Sequence, residues 1–181
     1  MESLNDKISL RRSIKELNRS ITSCERQNFS KLLLSRMEHH PLWKSSTTIL
    51  LFSSLPDEID TNPLLHLALA QGKRVVLPVV CGDHLELYHY EAKFLCQGAF
   101  GISEPDPRIA APVTQYEEID LAIIPGIAFT IHGDRLGRGK GYYDRLLPLL
   151  HCPTIGVGYP HQLVESLPSD DWDIPLSEIV I

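Results

Sequence analysis

The stretch Arg135-Leu136-Gly137-Arg138-Gly139-Lys140-Gly141-Tyr142-Tyr143-Asp144-Arg145 gathers the residue types needed to grip a polyphosphate. Glycine lets backbone N–H groups turn toward a ligand and approach it closely. With Gly133 just upstream, the run can form a concave nest of N–H donors. Arg138 and Lys140 add positive charge where phosphate oxygens would sit. Asp144 follows at a spacing suited to a magnesium ion beside those oxygens, and Tyr142 and Tyr143 can hydrogen-bond or stack. The competing reading is a polar surface turn, with glycines there for flexibility. The two cations and the Tyr-Tyr-Asp sequence favour a nucleotide-phosphate site. It is not a P-loop, because the G-x-x-x-x-G-K-[ST] spacing is absent. Nor is it the dinucleotide G-x-G-x-x-G turn, because no acidic residue follows at the required place in a β-α-β unit.

The elements that must position this segment can be read from periodicity. Leu10, Ile14, Leu17 and Ile21 fall at helical spacing, which predicts a first helix with one apolar stripe, capped by Asn5 or Asp6. A second helix is expected from about Glu25 to His39, ended by Pro41. Residues 47–52 and 73–78 read as strands flanking a helix from Asn62 to Gln71, with Pro63 in its first turn and Gly72 past its end. That is a β-α-β unit. Residues 85–90 alternate and suggest a half-buried, antiparallel strand. Residues 97–118, with Gly98, Gly101, Pro105, Pro107 and Pro112, read as a long irregular stretch. Further strands are expected at 121–126, 154–159 and 178–181, and a helix from about Gly141 to Leu150 that points its N-terminus at the phosphates. The expected fold is α/β: a three-layer, Rossmann-like domain with a mostly parallel central sheet. It forms a single domain over 1–181 with a helical segment at about 5–40. Ligands of such sheets bind beyond the carboxyl ends of the strands, where the glycine-rich segment lies.

Composition narrows the class. A chain of 181 residues with 43% hydrophobic and 22% charged residues can bury a sizeable core. A net charge of -6 argues against nucleic acid as a partner, since phosphate backbones demand a basic surface. No run approaches the roughly 20 apolar residues that span a bilayer, and the N-terminus lacks the apolar core of a signal peptide. Cys24, Cys81, Cys96 and Cys152 form no C-x-x-C pair, and no paired Cys/His spacing suggests zinc. They are expected to be buried, inert thiols of a cytoplasmic protein. His39, His40, His132 and His151 have no partners at ligand spacing and are expected to be structural. No long exposed apolar stripe is evident, which favours a monomer.

Taken with the rest of the chain, the glycine-rich segment resembles the 5-formyltetrahydrofolate cyclo-ligase (methenyltetrahydrofolate synthetase) family. The most specific match is Pro125-Gly126-Ile127-Ala128-Phe129 running into Gly133 and then Arg135 through Arg145. Weaker matches are Lys7-Ile8-Ser9-Leu10-Arg11, Pro56 to Thr61, Phe100 to Pro105, and Trp172 to Leu176. The chain stops at Ile181, a few residues short of many relatives. The resemblance implies a NagB/RpiA/CoA-transferase-like sheet. It also implies ATP and Mg2+ as cofactors and 5-formyltetrahydrofolate as the small-molecule partner. It places ATP on Lys7, Arg11, Arg135, Leu136, Gly137, Arg138, Gly139, Lys140, Gly141, Tyr142 and Tyr143. It places the folate on Ser53, Glu58, Phe100 and Tyr142, and Mg2+ on Asp144 and Asp173. Arg138, Lys140 and Tyr142 are the implied catalytic groups. Without the resemblance, Lys7 and Arg11 would be a solvated basic helix face, Glu58 a turn acid, Asp173 a loop acid and Phe100 a core aromatic.

The implied reaction is ATP-driven cyclisation of 5-formyltetrahydrofolate to 5,10-methenyltetrahydrofolate, with ADP and phosphate released. It would pass through a phosphorylated formyl group. No side-chain nucleophile is needed, and no triad-like arrangement is seen. Sheets of this layout also serve phosphosugar isomerases and CoA transferases, and a silent nucleotide-binding module is a third possibility. Joint retention of Glu58, Lys140, Asp144 and Asp173 favours the cyclo-ligase.

Overall fold

The computed structural model describes residues 2–98, 101–168 and 173–181, with side-chain placement from residue 6 onward. Six strands form the central sheet: β1 (Thr48–Leu50), β2 (Arg74–Cys81), β3 (His84–His89), β6 (Leu121–Pro125), β9 (Thr154–Val157) and β10 (Glu178–Val180). Their spatial order is β10-β9-β6-β1-β2-β3. All neighbours run parallel except β2 and β3, a hairpin that adds β3 antiparallel at one edge. The chain moves outward from β1 to β3, then returns to the other side of β1 at β6. The carboxyl ends of β1 and β6 therefore flank the topological switch point, where a ligand crevice is expected.

Both faces of the sheet are covered, and strand alternation assigns side chains to each. Ile49, Leu51, Val75, Leu121, Ile123 and Ile155 pack against Leu33, Met37, Trp43, Leu64 and Ala68 on one face. Those partners come from α2 (Ser23–His39), α3 (Pro41–Ser45) and α4 (Asn62–Ala70). Leu50, Val76, Ala122 and Ile124 face the other way, onto Leu146, Leu147 and Leu150. Leu146 ends α5 (Tyr142–Leu146), Leu147 opens the single 3₁₀ turn after it, and Leu150 caps that turn. Full burial of each such aliphatic side chain contributes about 1.5–3 kcal/mol. The expected three-layer, mostly parallel α/β architecture is present. No described helix is long and apolar enough to cross a membrane.

Several local expectations are corrected. Helix α1 (Glu2–Ser20) starts upstream of Asn5 and Asp6, so neither caps it. Of the apolar stripe expected, Ile14 is buried and Leu10 and Ile21 pack against the core, but Leu17 is 48% exposed while Asn18 is fully buried. Asn18 wins that position because both ends of its amide are used. Its Nδ2 donates to the Asp57 carbonyl at 3.0 Å, and its Oδ1 meets His161 Nε2 at 2.6 Å. Pro41 does follow the end of α2, but it also opens α3, where its missing N–H costs nothing. The stretch 97–118 is not wholly irregular. β4 (Leu95–Gln97) and β5 (Ser103–Pro105) pair as a short hairpin, and a 3₁₀ turn forms at Tyr116–Glu118. A second short hairpin joins β7 (Ala128–Phe129) to β8 (Arg135–Leu136). The helix expected to reach Leu150 stops at Leu146, and Pro148, which cannot donate to a helical ladder, sits in the 3₁₀ turn that follows. No cysteine is buried: Cys24 and Cys81 are exposed, and Cys96 and Cys152 are half-buried.

Candidate active site

Each strand end at the switch point delivers a different chemistry. Beyond β1 the chain turns through Leu55 to Glu58, closed by the Glu58 N–H donating to the Leu55 carbonyl at 2.9 Å. The Glu58 carboxylate returns a bond, its Oε2 accepting from the Leu55 N–H at 2.9 Å. This turn is braced from below. The Tyr159 hydroxyl donates to the Glu58 carbonyl at 2.7 Å, and Arg26 donates to Tyr159 Oη at 3.0 Å and to the Pro56 carbonyl. Burial pushes the Tyr159 phenol up to about 12, so it stays protonated and donating. Beyond β6, Pro125 and Gly126 lead into the β7–β8 hairpin. Its turn is pinned by Thr130 Oγ1 donating to Asp134 Oδ2 at 2.7 Å. The hairpin delivers Arg135 and the glycine-rich run to the crevice.

Within that run Gly139 and Gly141 have φ of +95° and +71°, left-handed backbone that a side chain would strain. These two turns aim Arg138 and Lys140 differently. Arg138 reaches across the crevice: its Nη2 donates to Asp57 Oδ1 at 2.6 Å and its Nε to Glu58 Oε1 at 2.9 Å. Burial pulls the Asp57 carboxyl up, but the Arg138 hydrogen bonds and charge outweigh it and leave it below the ordinary carboxylate range. Lys140 is exposed, and its ammonium has no ion-pair partner among the described residues. The helix that follows, α5, has only five residues and no side-chain cap, so it supplies a smaller dipole than a helix reaching Leu150 would.

The crevice is a cavity of about 330 Å³ with two kinds of wall. Phe52, Leu55, Pro78, Val80, Leu85 and Ile102 make an apolar slot. Ser53, Glu58, Arg138, Lys140, Tyr142 and Asp144 supply the polar groups. Ser53 Oγ donates to the Ser103 carbonyl at 2.8 Å, tying the end of β1 to the β4–β5 hairpin. Tyr142 reaches the other hairpin, its hydroxyl 3.4 Å from the Gly82 carbonyl. Burial holds the Tyr143 phenol far above its usual pKa, so it is neutral. Arg135 lies beneath, its guanidinium against the Tyr143 ring and hydrogen-bonded to Asp144. Burial lowers the Arg135 pKa despite the opposing pull of Asp144, Tyr143 and Asp173, yet guanidinium remains charged at any physiological pH.

Helix α1 closes one side with the stripe Lys7, Arg11, Ile14 and Asn18, spaced as one helical face. Arg11 Nε donates to the Gly137 carbonyl at 2.8 Å, and its guanidinium lies beside Gly139. Lys7 Nζ is 3.8 Å from Asp173 Oδ2. The 173–176 segment is docked by the Leu176 N–H donating to the Gly133 carbonyl at 2.9 Å. The charges of Asp144 and Asp173 both favour the charged Arg135 guanidinium, and a carboxylate oxygen is the donor type that magnesium takes.

The structure brings Ser53, Glu58, Arg135, Gly137, Arg138, Lys140, Gly141, Tyr142, Tyr143 and Asp144 to one cavity. Lys7, Arg11, Gly139 and Asp173 stand at its α1 side. Leu136 belongs instead to a small core with Ile14, Ile127 and Ala128. Phe100 lies outside the described residues. Three residues escaped the sequence reading. Asp57 is the second acid on Arg138. Lys15 lines both this cavity and an adjoining groove of about 500 Å³ with Arg11, Arg12 and Arg138. Glu104 lines the cavity yet is only 4% exposed. Glu104 sits inside the matched 100–105 segment, and Lys15 continues the helix face of Arg11, so both carried a signal.

Known proteins bear on this arrangement. Residues 3–181 match the model of the 5-formyltetrahydrofolate cyclo-ligase family. The 5-formyltetrahydrofolate cyclo-ligase of Escherichia coli K12 is 37% identical over 176 residues, covering 92% of this chain and 95% of that one. The mouse protein of the same name is 27% identical over 187 residues, covering 96% and 92%. Among solved structures, the 5,10-methenyltetrahydrofolate synthetase of Aquifex aeolicus superposes with a TM-score of 0.84 at 36% identity, over 96% of this chain and 88% of that one. With a matched length from residue 3 to the last residue, the chain belongs to the 5-formyltetrahydrofolate cyclo-ligase family of enzymes.

Proposed function

We propose that this chain cyclises 5-formyltetrahydrofolate to 5,10-methenyltetrahydrofolate at the expense of ATP, using the cavity between the β1 and β6 strand ends. The observation that carries this reading is the division of that cavity: an apolar slot closed by the acid Glu58 faces a glycine run bearing Lys140. A flat, amphipathic ring with N–H donors fits the slot, with Glu58 as its acceptor. A polyphosphate fits the run.

The chemistry follows from the substrate. The formamide carbon on nitrogen-5 is a poor electrophile. Transfer of the γ-phosphoryl group to the formyl oxygen converts that oxygen into a leaving group. Nitrogen-10 then attacks the carbon, the carbon–oxygen bond breaks, phosphate departs, and nitrogen-10 loses its proton. The protein must align the formyl oxygen with the phosphoryl group and meet the charge that spreads over it. Lys140 is placed for the second task because no carboxylate competes for it among the described residues. Arg138 aligns Glu58 and Asp57, and Tyr142 stands at the join between slot and run. Arg11 and Lys7 seat α1 over the run, which limits the entry of water. Asp144 and Asp173 would hold magnesium, which supplies charge neutralisation and orientation of the phosphate oxygens.

The test mixes protein, ATP, magnesium and 5-formyltetrahydrofolate and follows the methenyl absorbance band. Growth of the band with stoichiometric ADP is expected. No ATP-dependent growth from a folded protein would leave a nucleotide-binding module without this activity.

A further inference from the structure

The β2–β3 hairpin carries a second constellation that the cavity does not use. Cys81 and His84 are the last cross-strand pair before the two-residue turn Gly82-Asp83, and Glu86 pairs with Val79. Because side chains alternate along a strand, Cys81, His84 and Glu86 all project from the same face. One ligand atom from each lies within 4.8 Å of the others. Cys81 and His84 also stand at a Cys-x-x-His spacing in the sequence.

We infer that Cys81, His84 and Glu86 form a binding site for a borderline-soft divalent cation of the zinc type, with water as the fourth ligand. Thiolate, imidazole and carboxylate are the donor set of tetrahedral zinc, with bonds of about 2.0–2.3 Å. His84 Nε2 is already 3.7 Å from Glu86 Oε1, close to the separation of two ligands on one tetrahedral ion. An outer layer is also in place. Asp83 Oδ1 is 3.3 Å from His84 Nδ1, so it can fix the tautomer that leaves Nε2 free for metal. The Tyr88 hydroxyl donates to Glu86 Oε2 at 2.6 Å, leaving Oε1 on the side of His84. Metal binding displaces the Cys81 thiol proton to solvent as the metal–thiolate bond forms. Cys81 and His84 are exposed, so an ion can enter directly. The same turn offers the Gly82 carbonyl to Tyr142 and the Asp83 carbonyl to Arg145. Metal loading therefore stiffens a tip that borders the cavity. Any effect on turnover rests on the cyclo-ligase reading; binding itself does not.

The experiment uses untagged, reduced full-length protein titrated with Co2+ as the spectroscopic probe and then with Zn2+. One equivalent of Co2+ is expected to give a thiolate-to-cobalt charge-transfer band that Zn2+ displaces and excess Mg2+, an oxygen-seeking ion, does not. The band is expected to vanish in Cys81→Ser and to survive in Cys24→Ser, whose thiol is also exposed. Tyr88→Phe, which removes only the outer hydrogen bond, is expected to weaken affinity roughly tenfold. A band that persists in Cys81→Ser, or no cobalt or zinc uptake by the folded wild-type chain, overturns the site. Metal uptake without cyclisation would sink the functional reading and support this one. Cyclisation without metal uptake would do the reverse.

Discussion

Arg138 and Lys140 stand two residues apart in one glycine run, yet their removal should have different signatures. Arg138→Leu deletes the Nε bond to Glu58 at 2.9 Å and the Nη2 bond to Asp57 at 2.6 Å, and with them the only cationic side chain hydrogen-bonded to either carboxylate among the described residues. The side chains of Asp57 and Glu58 are 18% and 11% exposed, and that of Arg138 29%. Exposed pairs contribute about 0–1 kcal/mol. Breaking a fully buried one costs about 3–5 kcal/mol, because a charge is stranded. Intermediate burial places Arg138→Leu at about 2–3 kcal/mol of lost stability. Lys140→Ala strands nothing and should cost under about 0.5 kcal/mol, the usual range for surface changes. Both should lower turnover by about two orders of magnitude, the scale of one lost transition-state donor or aligner. Urea denaturation at pH 7 reads the stability and the methenyl band reads turnover. Adding Asp57→Asn and Glu58→Gln to Arg138→Leu should recover much of the stability and none of the turnover. An Arg138→Leu protein as stable as wild type, or a Lys140→Ala protein destabilised as strongly as Arg138→Leu, would refute the division of roles.

Two further outcomes follow from the same geometry. Asp144→Asn should raise the magnesium concentration needed for half-maximal turnover several-fold, because one hard anionic donor is lost while the hydrogen bond to Arg135 can persist; an unchanged titration would remove Asp144 from the metal site. Burial lowers the His161 pKa, so the unfolded chain takes up its proton first. Stability should therefore fall as pH drops below the ordinary His value of about 6.5 and stop falling below the depressed folded value, with a slope of at most about 1.4 kcal/mol per pH unit. His161→Gln should flatten that part of the stability–pH curve, read by urea denaturation between pH 5 and 8. An equally steep curve in the variant would assign the dependence elsewhere.

The parts of this molecule legible in its sequence are those where a local rule decides. The strands at 48–50, 74–81 and 121–125 are short apolar runs, and the fold buries both their faces as such runs require. Pro63 at the start of α4 and Gly72 after it behave as helix punctuation. The start of α2 follows a local rule too: Thr22 and Glu25 form a capping box, which begins the helix two residues before the start expected at about Glu25. The small hairpins were not legible. β7–β8 depends on Thr130 and Asp134 bonding across a turn, and β4–β5 on pairing between segments without alternation. Such pairings are set by the sheet end on which they rest.

The same distinction explains which site residues the sequence could name. The glycine run announces itself because its chemistry is contiguous, but α1 shows how a site can hide inside an ordinary helix. Read for hydrophobicity, the N-terminal segment offers Leu10, Ile14 and Leu17 in α1 and Ile21 just past its end. Folded, it turns Lys7, Arg11, Ile14 and Asn18 inward and leaves Leu17 at 48% exposure. A helix docked by a purely apolar face would gain more from the hydrophobic effect. This one instead buries Asn18, bonded at both ends of its amide, and so brings Arg11 to the Gly137 carbonyl and Lys7 to Asp173. The lost apolar burial is offset by hydrogen bonds of about 0.5–1.5 kcal/mol each, more where a charged group takes part. A docking face built this way depends on its polar partners, and its register on the sheet is set by them. Asn18 thus joins Ile14, Arg11 and Lys7 in fixing α1 over the site; no apolar pattern would select it, and its two partners, Asp57 and His161, reveal it.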